Sequence, residues 1–332
     1  MTFGATGENA LSGYHGSAEP TKVNPLKDEY QAKAQNVEVT VNGGRLLAVA
    51  AAVLFSTGGA GLKTDSFTSA EISALRSGLA ALFLLVWMRG RVSWTRGTVG
   101  AGILYAATVT LFVAATKLTT AASAIFLQSS APLFIVLLGP PLLGERFERR
   151  DVRYLVVIAA GLILCFLGRP RSSGTAPDPV SGNILALFCS VTWALTLLAL
   201  RYHERQGGAE RGGLSSVVIG NLFACVVALP FAWPFPAAPA AAWATMVYLG
   251  TLQIGLAYIC LTAAVRQVPA FEISLLLLVE PVLNPIWTWL IRGEEPGGAV
   301  IAGGAVILAA TAARSFRTDR TPAPMTPAPP AV

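Results

Sequence analysis

Apolar residues in this chain fall in long runs separated by short polar breaks, the pattern of segments that cross about 30 Å of hydrocarbon as helices. Ten runs are long enough, or nearly so: 46–62, 69–88, 98–116, 119–141, 153–168, 182–200, 214–234, 242–264, 269–291 and 297–313. The first and fifth are short, requiring little tilt or a local thinning of the bilayer. Connections are brief and leave no room for a separate soluble domain. The longest break, 169–181, is rich in proline and serine and predicts a linker between two halves, 44–168 and 182–313. Residues 1–43 are polar and lack the apolar stretch of a secretory signal peptide, and 314–332 end in a proline-rich stretch. Both are expected to be flexible cytoplasmic tails. The predicted fold class is an all-α polytopic membrane protein with ten transmembrane helices.

Composition supports lipid as the solvent. The chain is 54% hydrophobic and 13% charged, against about 25% charged in soluble proteins. Its net charge of +6 does not indicate nucleic acid, because no basic face with interleaved aromatics accompanies it. The basic residues instead set orientation. Lys63, Lys117, Arg169, Arg171 and Arg292 fall in loops on one side and Arg76 lies within a span, whereas the remaining 18 of the 24 Lys and Arg fall in the tails and the opposite loops. An even number of spans with this bias predicts both termini in the cytoplasm. The expected location is the bacterial inner membrane. Cys165, Cys189, Cys225 and Cys260 all lie inside apolar runs, where they act as small packing residues rather than as a zinc or disulfide framework.

The two halves carry an internal repeat. At an offset of 149, Ala131-Pro132 aligns with Glu280-Pro281, Gly144-Glu145 with Gly293-Glu294, and Lys117 with Arg266. Five spans per half is an odd number, so the second half must run inverted through the membrane, an architecture recurrent in transporters.

Two segments define a resemblance. AASAIFLQSSAPLFIVLLGPPLLGER (Ala121 to Arg146) and PAFEISLLLLVEPVLNPIWTWLIRGEE (Pro269 to Glu295) each have a small-residue start, a mid-helix proline and a Gly-Glu exit. Arg76 in SALRSGLAAL and Trp193 in GNILALFCSVTWAL add to it. In these features the chain resembles the EamA-type branch of the drug/metabolite transporter superfamily, over residues 44–313. Phe55-Ser56-Thr57 departs from the pattern, standing where many relatives show a tryptophan-glycine pair. The resemblance implies a ten-helix carrier of a small metabolite or drug-like solute, commonly moved outward.

Glu280 is the leading chemical candidate. It sits near the middle of the ninth run, where a charge costs about 2.5–3.5 kcal/mol and is tolerated facing a cavity or a partner. Asn284 and Trp287 share its helical face, and Pro281 and Pro285 are expected to free carbonyls there. Glu280 then either binds substrate or couples protons, or it is a structural carboxyl bonded to a neighbouring helix. Gln128 and Ser129 precede Pro132 at the repeat-related position, and Gln253 lies mid-run in the eighth segment. Tyr105, Thr108 and Phe112 form one face of the third helix, and Trp193 lies one turn after Ser190. Each suits a solute pocket and each equally suits helix packing. Arg76 either snorkels, pairs with Glu280 or meets a substrate anion. Glu145 and Glu294, at helix exits, are read as loop or gate anchors. The glycines 297–298 and 303–304 offer close-packing faces, within the chain or in a homodimer.

The only histidines, His15 and His203, and all five aspartates lie outside the spans, and no nucleophile, zinc-protease, Walker or dinucleotide motif appears. No catalytic residue, metal or cofactor is therefore expected, and an ATP-driven pump within this chain is excluded. The reading is a secondary transporter working by alternating access, with protons as a candidate coupling ion. A channel or a non-transporting polytopic enzyme is the alternative.

Overall fold

The computed structural model describes residues 42–143, 149–167, 174–205, 212–265, 267–268, 273 and 276–318. Glu145 and most of both tails lie outside the described residues. Every regular element among the described residues is a helix. Seven helical segments are long and apolar enough to cross a membrane: Asn42–Leu62, Ser69–Trp87, Arg96–Leu118, Ala121–Leu142, Pro179–Leu200, Gly212–Ala232 and Ala240–Ala264. Two shorter apolar helices, Val152–Leu167 and Gly298–Ala313, accompany them.

Local chemistry explains where several elements start. Thr68 with Glu71 closes a capping box at the head of α3 (Ser69–Trp87), and Thr95 with Thr98 does so at α4 (Arg96–Leu118). The first span begins a turn earlier than its apolar run, as α1 (42–56), breaks at Thr57 and resumes as α2 (Gly58–Leu62). There the Ser56 and Thr57 hydroxyls donate to the Val53 and Leu54 carbonyls, 2.7 Å each. Such local bonds compete with the helical ladder, and the glycines that follow weaken it further.

Two spans expected to be continuous are broken, and proline is the reason. The fourth divides into α5 (Ala121–Gln128) and α6 (Ala131–Leu143). A helical proline clashes with the carbonyl four residues before it. For Pro132 that residue is Gln128, where α5 ends. In the ninth span the equivalent residue for Pro281 is Leu277. There the chain turns, Glu280 N–H donates to the Leu277 carbonyl at 3.1 Å, and a helix begins at Val279. Glu280 therefore lies in the first turn of a half-helix rather than in the middle of a whole one. Pro281 is well placed there, because first-turn N–H groups have no intrahelical acceptor.

The remaining elements are α7 (Arg149–Leu167), α8 (Pro179–Arg205), α9 (Gly212–Ala232), α10 (Ala240–Tyr248), α11 (Ala257–Val265), α12 (Val279–Arg292) and α13 (Gly298–Thr318). Between α10 and α11 the chain widens into a π-helical stretch, Leu249–Leu256. Helix α4 packs along both α8 and α9, α3 lies against α9 and the π stretch, and α13 runs along α7. Glycines allow the closest approaches. A methyl on Gly303 would meet the Gly161 carbonyl at 2.6 Å, and one on Gly304 would overlap the Phe126 ring. These two glycines are thus covered within the chain, which leaves any dimer contact to other faces. Large apolar side chains such as Val156, Ile163, Phe188, Val226 and Leu290 point outward, as expected of a surface facing lipid.

Candidate functional site

Arg76 lies at the centre of a buried polar and aromatic cluster. The side chain is only 5% exposed, and its Nη2 donates to Gln253 Oε1 at 3.0 Å. Gln253 comes from the π stretch and donates in turn to the Phe55 carbonyl at 3.2 Å. Arg76 Nε and Nη1 have no hydrogen-bond partner among the described residues. Around the guanidinium stand Tyr105 from α4 and Tyr258 from α11, whose rings meet edge to face with centroids 5.6 Å apart and whose hydroxyls interact. Phe55 packs edge-on against Tyr258 at 5.0 Å, and Trp193 and Tyr258 both pack against the buried cluster that contains Tyr105. Glu280 lies close enough for its charge to act on Arg76 and Tyr258, and it is half-buried. A carboxylate in a helix's first turn also gains from the macrodipole.

Of the stripe through Glu280, Asn284 and Trp287, the last two face the first span. Trp287 Nε1 donates to Ser56 Oγ at 3.0 Å, and Arg292 Nε to the Ala60 carbonyl at 3.1 Å. Asn284 is buried directly against Gly59, and its Oδ1 has no hydrogen-bond partner among the described residues. Three interruptions, at Thr57, in the π stretch and at Leu277–Leu278, thus meet around one set of polar side chains. Irregular backbone at membrane depth is tolerated where it lines a cavity or is covered by protein, and π segments concentrate at functional sites.

Other sequence candidates sit elsewhere. Thr108 donates to Thr192 at 3.0 Å and to the Leu104 carbonyl at 2.9 Å, tying α4 to α8. Ser129 donates to the Ile125 carbonyl at 2.8 Å and closes α5, while half-buried Gln128 ends it. No hydrogen bond joins either to the Arg76 cluster among the described residues. Pro132 stands at the start of α6. Arg76 does not snorkel.

A second polar cluster lies where α2, α4 and α12 end. Buried Lys63 pairs with Glu294 at 2.8 Å, donates to the Thr119 carbonyl at 2.6 Å and also donates to the Thr175 carbonyl. Glu294 Oε1 accepts the Ala121 N–H at 2.6 Å, at the head of α5. Lys117 donates to the Thr64 carbonyl at 2.6 Å, and Thr119 to Asn183 Oδ1 at 2.8 Å. Burial pulls the pKa of the Lys63 ammonium below its ordinary value, and Glu294 partly restores it. The loops after α2, α4, α7 and α12 are thereby tied together. Sequence reasoning placed Glu294 here but overlooked Lys63, and it overlooked Tyr258 in the central cluster.

Comparison with known proteins agrees with this architecture. The sequence profile of the EamA-like transporter family matches residues 42–167 and again 180–315. The chain is 28% identical over 286 residues to the pseudopaline exporter CntI of Pseudomonas aeruginosa, covering 83% of this chain and 96% of that one. It is 26% identical over 210 residues to the aromatic amino acid exporter YddG of Ancylobacter novellus, covering 63% and 72%. A solved crystal structure shares the fold, with a TM-score of 0.57 at 22% identity over 84% of this chain and 98% of its own. A helical membrane chain matched twice along its length by one profile has a plain assignment: it belongs to the EamA-like transporter family.

Proposed function

We propose that this chain is a secondary carrier, an exporter or exchanger of a small metabolite or drug-like solute that works by alternating access. The observation that carries the reading is the meeting of interrupted helices at Arg76, Gln253 and Glu280, the kind of discontinuity at which carriers hold their solutes. Ten spans in two inverted five-helix repeats complete the architecture. The paired breaks before Pro132 and Pro281 support it, as do the two matched segments. The charge bias puts both termini in the cytoplasm, in a bacterial inner membrane. The Lys63–Glu294 cluster then ties the outer loops, so the conformation described is closed outward. Opening requires those contacts to part as the halves rock.

The names of the relatives favour a carrier over an enzyme. Proteoliposomes test the reading: a carrier saturates and shows counterflow, while a channel does neither. Glu280 is the coupling candidate. Glu280→Gln is expected to abolish accumulation driven by a pH gradient while solute exchange persists at a reduced rate. Wild-type pH-driven accumulation in that variant would remove Glu280 from the coupling step.

A further inference from the structure

We infer that α2 is the outer lid of the carrier: it swings on a hinge at residues 55–57, and donors from the second half of the chain hold it shut. The inference deepens the carrier reading and rests on it, with Lys63 at the outer face. Three consecutive residues at the break in the first span each accept a hydrogen bond from a different element. The Phe55 carbonyl accepts from Gln253 of the π stretch at 3.2 Å, and Ser56 Oγ from Trp287 of α12 at 3.0 Å. Thr57 Oγ1 accepts from Tyr248 of α10 at 2.8 Å. The direction of this last bond follows from the proton count: the single Thr57 hydroxyl proton goes to the Leu54 carbonyl, so Tyr248 is the donor. Helices bend where Ser and Thr bond back to the backbone and where glycines follow them, which makes this break a joint.

Beyond the joint, α2 meets the second half through glycines. A methyl on Gly58 would meet Gln253 Nε2 at 2.9 Å, one on Gly61 would meet Leu249 Cδ2 at 2.7 Å, and one on Gly59 would overlap Asn284 Oδ1. Glycine has no side chain to interlock, so these surfaces can part without a rotamer change in α2. The joins nearer the tip are polar, Arg292 Nε to the Ala60 carbonyl at 3.1 Å and Lys63 to Glu294 at 2.8 Å. Polar partners exchange for water once the mouth opens. Lys63 also donates to the Thr119 and Thr175 carbonyls, so one ammonium fastens the tip on several sides. Five residues are too few to hold a helix by themselves, and these contacts set where α2 lies. Gln253 bonds both Arg76 and Phe55, which puts the joint at the level of the central cluster and α2 between that level and the outer face.

Two measurements on the full chain test the lid, and neither needs the solute. The first applies a membrane-impermeant maleimide to right-side-out vesicles carrying Ala60→Cys, with labelling read peptide by peptide by mass spectrometry. Ala60 is 3% exposed when the lid is shut, so its reaction reports opening. Tyr248→Phe removes one donor from the hinge and keeps the ring. It should raise that rate about 2- to 10-fold, the effect of one neutral hydrogen bond on such an equilibrium. Cys189, fully buried where α8 meets α4, should react at an unchanged, slower rate. The second measurement links Gly61→Cys to Leu249→Cys. Leu249 Cγ, where the new sulfur would stand, lies 3.2 Å from a Cβ built on Gly61, close to the separation of about 3 Å between one Cβ and the partner sulfur in a disulfide. Oxidation should slow deuterium uptake by the α2 amides about 5-fold or more, and reduction should restore it, with uptake in α13 unchanged.

A rigid α2 gives another pattern. Ala60→Cys would react no faster than Cys189, Tyr248→Phe would leave its rate alone, and uptake would ignore the disulfide; any of these overturns the lid. Equal acceleration at Ala60→Cys and Cys189 reports general loosening and overturns it too. So does labelling confined to inverted vesicles, which would put α2 at the cytoplasmic face. The counterflow assay judges the carrier separately. Saturable counterflow beside a rigid α2 keeps the carrier and removes the lid, whereas a moving α2 without counterflow of any solute removes the carrier and the lid's task with it.

Discussion

Replacing Lys63 with alanine is expected to destabilise the folded protein by about 3–5 kcal/mol, because it strands a buried carboxylate. Lys63 and Glu294 are both almost fully covered and lie 2.8 Å apart, so solvent screening does not weaken their attraction as it does at a surface. In Lys63→Ala, Glu294 keeps the Ala121 N–H at the head of α5 but loses its counter-charge. The Thr119 and Thr175 carbonyls lose their donor at the same time. The double replacement Lys63→Met with Glu294→Leu should recover more than half of the loss, since removing both charges removes the desolvation penalty with the attraction. Thermal unfolding in detergent of the wild-type protein, Lys63→Met, Glu294→Leu and the double variant measures the coupling. A loss below about 1 kcal/mol for Lys63→Ala, the range of exposed pairs, would show that the cluster does not hold the loops together. In flux assays the double variant should also open outward more readily, raising exchange measured from that side.

The second large effect concerns the crossing of α4 and α9. A Cβ placed on Gly220 would lie 2.6 Å from the Gly102 carbonyl oxygen and 2.5 Å from Tyr105 Cδ1. The first neighbour is backbone and has no rotamer to change, so the two helices must separate. Overpacking of this kind costs about 1–3 kcal/mol for alanine, and valine should cost more. The same displacement moves Tyr105 away from Tyr258 and Arg76, so solute affinity should fall along with stability. Gly213→Ala, on the same helix, is the control, because its added methyl meets nothing within 4 Å. That change should be neutral or stabilising by about 0.5–1 kcal/mol, the usual difference between alanine and glycine in a helix. Equal melting temperatures for Gly220→Ala and the wild-type protein would show that the crossing yields easily and that Tyr105 is not held by it.

The helical, membrane-spanning nature of the chain was legible from the apolar runs alone. A span in hydrocarbon must satisfy its own backbone, so length and apolarity are written locally. The breaks at Gln128 and Leu277 were also within reach, because each lies four residues before a proline. They were missed because both spans were read as continuous. The shared face of Asn284 and Trp287 followed from helical spacing, and α12 turns both toward the first span.

Tyr258 could not be found in that way. Five residues after Gln253 it falls on another face of an α-helix, and only the wider turn of the π stretch, with its i→i+5 bonding, brings the two residues toward the same guanidinium. Sequence by itself determined which segments are long apolar helices and which polar residues lie within them, since each depends on neighbours a few positions away. Tertiary structure decided the partners: Arg76 with Gln253 is separated by 177 residues, and Trp287 with Ser56 by 231. Those pairings depend on which helix faces fit closely enough to touch, and glycines, aromatic edges and one widened turn set that fit without leaving any period in the chain.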